Sequence, residues 1–131
     1  MSEIAYGAKY DRSLSTTEIA RRFRADVAAE KKAGRLPREL KLSVKTRYYS
    51  GGSSIDVRIK GLPAGFPVRN REVAPTAGTL RFAPELRELK ERLQGLLDAY
   101  NFDGSDSMTD YFHVNFYGWV EVDSRLEADD A

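Results

Sequence analysis

The sequence predicts an α+β domain in the order α-β-β-α-β: a three-stranded antiparallel sheet with two helices on one face. Three observations carry that expectation. Two segments repeat apolar residues every three or four positions, three segments alternate apolar and polar residues, and a glycine turn joins the first two alternating segments.

The first helix is announced by Ser15-Thr16-Thr17-Glu18, a capping box in which Ser15 and Glu18 each satisfy a free backbone N–H. Ile19, Ala20, Phe23 and Val27 form its apolar stripe, and the charged residues around it, Arg21, Arg22, Arg24, Lys31 and Lys32, read as solvated. Gly34 suits a left-handed C-terminal cap, and Pro37 stops the helix from resuming.

A hairpin follows. Leu40, Leu42, Val44, Thr46 and Tyr48 alternate with Lys41, Ser43, Lys45, Arg47 and Tyr49, the pattern of a half-buried strand. Ser50-Gly51-Gly52-Ser53 is the turn. The return strand over 54–60 turns Ile55, Val57 and Ile59 inward and Asp56, Arg58 and Lys60 outward. Residues 61–83, punctuated by glycines and prolines, read as a long irregular connection with one short extended piece at 79–82.

Pro84 opens the second helix, whose stripe is Leu86, Leu89, Leu93, Leu96, Leu97 and Tyr100. Gly95 within it is expected to mark close packing, because glycine costs a helix interior about 1 kcal/mol against alanine. A polar turn over 101–110 leads to the last strand, 111–122. One face of that strand carries Phe112, Val114, Phe116, Val120 and Val122; the other carries Tyr111, His113, Asn115, Tyr117, Trp119 and Glu121. Placing this strand antiparallel beside the first gives the order 2-1-3. Residues 14–123 form the single domain, 1–13 a loosely ordered arm and 124–131 a frayed acidic tail.

Composition bounds the function. A chain of 131 residues, 41% hydrophobic and 31% charged, is an ordinary one-domain length with a modest core. It has no cysteine, which excludes disulfides, thiolate chemistry and Cys-ligated metal, and a single histidine, His113. No apolar run is long enough for a membrane span, and Met1–Ala5 lack a secretory pattern, so a cytoplasmic location without membrane contact is expected. The charge is split: residues 1–60 hold 14 Lys/Arg against 7 Asp/Glu, and residues 61–131 hold 7 against 13.

Three stretches carry a resemblance. They are Tyr10-Asp11-Arg12-Ser13-Leu14-Ser15-Thr16-Thr17-Glu18-Ile19-Ala20, Tyr49-Ser50-Gly51-Gly52-Ser53-Ser54-Ile55-Asp56-Val57, and Tyr100–Phe112 with Val114-Asn115-Phe116-Tyr117. Together they resemble a large polyvalent protein associated domain family of phages and conjugative elements, over roughly residues 10–122. The resemblance implies a small α+β accessory domain of a mobile element and brings no catalytic residues with it.

Two candidate sites emerge. The outward sheet face combines Lys41, Lys45, Arg47, Arg58 and Lys60 with His113, Tyr117 and Trp119; basic groups hold phosphates and exposed aromatics stack bases. The bland reading is a solvated face whose aromatics cover cross-strand neighbours. The second site is the end of the sheet, where Ser50, Gly51, Gly52 and Ser53 are expected to meet Asp103, Ser105, Asp106 and Asp110. Glycines permit close approach there, and hydroxyls and carboxylates offer directed hydrogen bonds; the alternative is that the aspartates only tie the turns together. Asp103, Asp106 and Asp110 with His113 could ligate a divalent metal, but they lack the spacing of a calcium loop and such carboxylates more often cap backbone N–H groups, so no metal is assigned. Ser105, His113 and Asp110 make a triad only by chance, and no phosphate-binding loop or nucleophile elbow is present. The expected function is therefore a non-catalytic accessory binding domain without a cofactor, contacting a host or element-encoded protein or nucleic acid. The alternative is sequence-tolerant single-strand binding through the sheet face. A metal-assisted hydrolase is a third reading.

Overall fold

A computed structural model describes residues 5–6, 8–11, 13–103 and 116–129. In chain order the elements are β1 (Ala5–Tyr6), α1 (Thr16–Lys32), β2 (Lys41–Tyr49), β3 (Gly52–Gly61), a 3-10 turn (Gly78–Arg81), α2 (Pro84–Asp98), β4 (Phe102–Asp103), β5 (Tyr117–Val122) and α3 (Ser124–Asp129). No helix among the described residues is long and apolar enough to cross a membrane.

The α+β class holds, and the apolar stripes fall where their periods place them. Ile19, Phe23 and Val27 of α1 and Leu86, Leu89, Leu93 and Leu97 of α2 are buried against Ile55, Val57 and Ile59 of β3 and Val120 of β5. Each such side chain taken from water contributes about 1.5–3 kcal/mol before entropy is charged against it. α1 packs over β2 and β3, and α2 packs over β5. The opposite face of the sheet carries exposed charged and aromatic side chains.

Local signals act as their chemistry requires, with one exception. Ser15 Oγ accepts the Glu18 N–H at 3.1 Å. The return half of the capping box is replaced. The Glu18 carboxylate instead accepts from Arg21 at 2.6 and 2.9 Å and from Arg22 at 3.1 Å, because arginines three and four residues on reach the same face. Gly34 has φ +80°, as a left-handed cap needs. The hairpin closes around Ser50-Gly51, with Tyr49 opposite Gly52 and Gly51 at φ +89°.

The sheet order corrects the expected 2-1-3 antiparallel arrangement. The order is β2-β3-β5, with β2 antiparallel to β3 and β5 parallel to it, in register from Ser54–Tyr117 to Ile59–Val122. The crossover through α2 accounts for this. A long connection containing a helix returns the chain to the end from which β3 started, so the strand that follows adds in parallel beside β3. On the other side, α1 spans β2, and Arg24 Nη2 donates to the Val44 carbonyl of that strand at 2.7 Å. The free edge of β5 is occupied as well: Gln94 Nε2 donates to the Gly118 carbonyl and Gln94 Oε1 accepts the Val120 N–H, each at 3.0 Å.

Four smaller expectations change. The extended piece at 79–82 is a 3-10 turn, with Phe82 bridged to Arg69, and Val68, Phe82 and Ala83 of this connection join the core. Gly95 faces open space rather than a close neighbour. Residues 124–129 form a helix instead of a frayed tail: Asp123 Oδ1 accepts the Arg125 N–H at 2.8 Å, and Glu127 holds Arg81 at 2.9 Å. The arm is anchored, since Ala5–Tyr6 pairs with Phe102–Asp103, Lys9 N–H donates to Ala99 at 2.7 Å, and Lys9 Nζ meets Asp26 at 3.0 Å. Residues 111–115 of the expected last strand lie outside the described residues.

Candidate nucleic-acid interface on the open sheet face

Period two sends every second side chain of the three strands away from the helices, and register then sets the rows. Lys45, Asp56 and Trp119 lie in one row, Arg47, Ser54 and Tyr117 in the next, and Ser43, Arg58 and Glu121 in the row on the other side. Lys41 and Lys60 stand toward the far end of the same face. Of the expected sheet-face residues, only His113 lies outside the described ones; the other seven share this surface and are exposed.

The aromatics form a ledge. Tyr49, Tyr117 and Trp119 are 45%, 41% and 41% exposed, large fractions for such side chains. Gly52 lies between two of them: a Cβ there would meet Tyr49 at 3.5 Å and Tyr117 at 3.7 Å. The missing side chain leaves the two rings flanking bare backbone, with Trp119 two residues on from Tyr117 on the same face.

The cations divide into engaged and free. Arg58 faces Glu121 and Lys60 faces Asp123, each at 3.8 Å, and surface pairs of this length contribute little. The Arg125 N–H, and then the charge of Lys60, hold the Asp123 carboxyl below the usual carboxylate range. Lys41, Lys45 and Arg47 make no ion pair or side-chain hydrogen bond among the described residues. Between the cations a cavity of about 150 Å³ is lined by Lys45, Arg47, Asp56, Arg58, Lys60 and Trp119, among others. Among the described residues, Asp56 Oδ1 is buried there without a hydrogen-bond partner. A buried acceptor left unmet costs about 1–3 kcal/mol, so this position favours a donor from outside. Asp56 and Tyr49 were legible as outward residues by the same alternation, yet charge and aromatic clustering alone did not mark them.

The expected site at the sheet end is only partly built. β5 does start at the hairpin end, because Tyr117 pairs with Ser54, although this follows from its parallel pairing with β3. Ser50, Gly51 and Gly52 are exposed at the turn. Ser53 is not available to a partner: it is buried, and its hydroxyl is 2.6 Å from that of Thr16. The Asp103 backbone pairs with Ala5, while its side chain, like Ser105, Asp106 and Asp110, lies outside the described residues. Among the described residues no group of three acidic or histidine side chains is placed to hold a metal ion.

No protein-family model, no curated protein and no solved structure matches this chain.

Proposed function

We propose that this chain is a non-catalytic binding domain that holds single-stranded nucleic acid on the open face of its sheet, as an accessory domain of a mobile genetic element. The observation that carries the reading is the register that sets Trp119 and Tyr117 in the same rows as Lys45 and Arg47, cations without an ion pair among the described residues. Bases have apolar faces that stack on such rings whatever their sequence, and phosphates between them are met by the cations. A central acceptor, Asp56, adds a place for a base amino group. The mobile-element setting rests on the resemblance of the three sequence stretches.

Trp119 is the only tryptophan, so its fluorescence reports on this face without a label. Titration with a ten-nucleotide oligothymidylate at low salt is expected to quench it. With three or four phosphates engaged, log Kd against log salt then has a slope of about 2–3. Lys45→Gln with Arg47→Gln is expected to weaken binding at least tenfold without changing the melting temperature. Unchanged fluorescence up to high micromolar oligonucleotide rejects the reading and leaves a protein partner as the occupant of the face.

A further inference from the structure

Trp119 borders a second cavity. This one, of about 440 Å³, runs along the free edge of β5 beside α2 and is lined by Phe82, Arg87, Lys90, Glu91, Gln94 and Trp119, among others. The open-face cavity is also lined by Trp119, the residue common to both.

Arg87 stands out within it. Among the described residues its buried Nε has no acceptor, and its guanidinium makes no hydrogen bond or ion pair. Glu91, one helical turn on, lines the same cavity without pairing to it. Neighbouring Lys90 sits 5.6 Å from the Phe82 ring, which adds a second cation to the same wall. An arginine with a desolvated N–H and no carboxylate bonded to it is a donor set for an anion; its planar fork matches phosphate oxygens.

The alternative occupant of a strand-side groove is an added β-strand, which would need the edge groups of β5. Gln94 already takes the Gly118 carbonyl and the Val120 N–H. What the groove offers is two cations, Arg87 and Lys90, against one carboxylate, Glu91, with Phe82 and Trp119 beside them.

We propose that the Arg87 cavity is a phosphate subsite, in which the backbone of a strand that stacks on Trp119 passes over the edge of β5 and places one phosphate on Arg87, with Lys90 beside it. The choice of occupant rests on the single-strand reading of the open face; the anion preference of Arg87 does not.

The test uses the full chain labelled with 15N and follows the Arg87 Nε–H signal. Inorganic phosphate, and separately the ten-nucleotide oligothymidylate, are each expected to shift it. Arg87→Met is expected to weaken oligonucleotide binding three- to tenfold and to lower the salt slope by about 0.7, the share of one phosphate on a single strand. Arg92→Met removes the same charge from an exposed position of the same helix and is expected to leave both unchanged. Melting curves of both variants confirm that they fold. An Nε–H signal that stays in place with both ligands overturns the subsite, as does an Arg92→Met loss equal to that of Arg87→Met. A response to phosphate with no oligonucleotide binding by the unaltered chain supports the anion site and rejects the strand as its occupant.

Discussion

The side chain of Asn101 pairs with the backbone of Phe116 as a strand would: Nδ2 donates to the Phe116 carbonyl at 2.8 Å, and Oδ1 accepts the Phe116 N–H at 3.3 Å. Asn101 follows α2 and Phe116 precedes β5, so one amide joins the end of the crossover helix to the start of the strand it delivers. Phe116 is itself buried. Asn101→Ala leaves both backbone groups unmet and is expected to cost about 1–3 kcal/mol in denaturant unfolding. Asn101→Asp keeps the acceptor but sets a carboxylate against the carbonyl, so it is expected to recover only part of that loss.

A second tie gives a pH signature. Tyr100 is buried after α2, and its hydroxyl donates to Asp26 of α1 at 2.5 Å, with Lys9 on the same carboxylate oxygen at 3.0 Å. Burial, and then the bond to the Asp26 carboxylate, push the Tyr100 phenol well above its ordinary value of 10. The folded state therefore keeps this proton at a pH where the unfolded chain releases it. Stability from Tyr100 is intact below about pH 10 and declines as pH rises from there toward the raised folded value. Tyr100→Phe is expected to be less stable at pH 7 and to lose stability less steeply above pH 10. Parallel alkaline limbs for the two proteins would refute this assignment.

The helix faces make a third test. Phe23 and Leu93 have no exposed surface, and each truncation to alanine is expected to cost about 2–5 kcal/mol. Arg22 is exposed and shares Glu18 with Arg21, so Arg22→Ala is expected to change stability by under about 0.5 kcal/mol. Equal melting losses for all three would contradict the stripes.

These stripes were legible because a period of three to four fixes a face within one element. The place of β5 was not. Alternation in 117–122 says which side chains turn inward, and it does so for either neighbour. The choice of β3 over β2 depends on the crossover and on the free edges, which involve residues far apart in the chain. Gln94 shows the limit: a polar residue in a helix reads as solvated until the strand it caps is in place. Arg87 is the same case, one of two arginines on α2, distinguished from Arg92 by its buried Nε and by the cavity that Phe82 and Trp119 line beside it. Most of the open face was legible, since Lys45, Arg47, Tyr117 and Trp119 follow from period two alone. The helix at 124–129 carries its own N-cap signal in Asp123 ahead of Ser124, but the acidic composition of these residues reads as a tail and masks it.

Two glycines of the sheet make the last prediction, because they are small for opposite reasons. Gly118 lies on the inner face of β5, where a Cβ would sit 2.7 Å from the Phe116 ring and 2.8 Å from Leu97 Cδ2. Both neighbours are buried and close-packed, so neither moves freely. Gly118→Ala is expected to cost about 1–3 kcal/mol through overpacking. Gly52 lies on the outer face, where a Cβ would make ordinary contacts with Tyr49 and Tyr117, and its φ is not in the left-handed region. Gly52→Ala is expected to leave the melting temperature unchanged or slightly raised, since alanine restricts the unfolded chain. Its effect should appear in binding instead, where a methyl between the two tyrosine rings crowds the ledge and weakens oligonucleotide quenching of Trp119. Measuring melting and quenching on both variants separates the inner glycine, which packing requires, from the outer one. A large melting loss for Gly52→Ala would make the ledge a requirement of the fold rather than of the ligand.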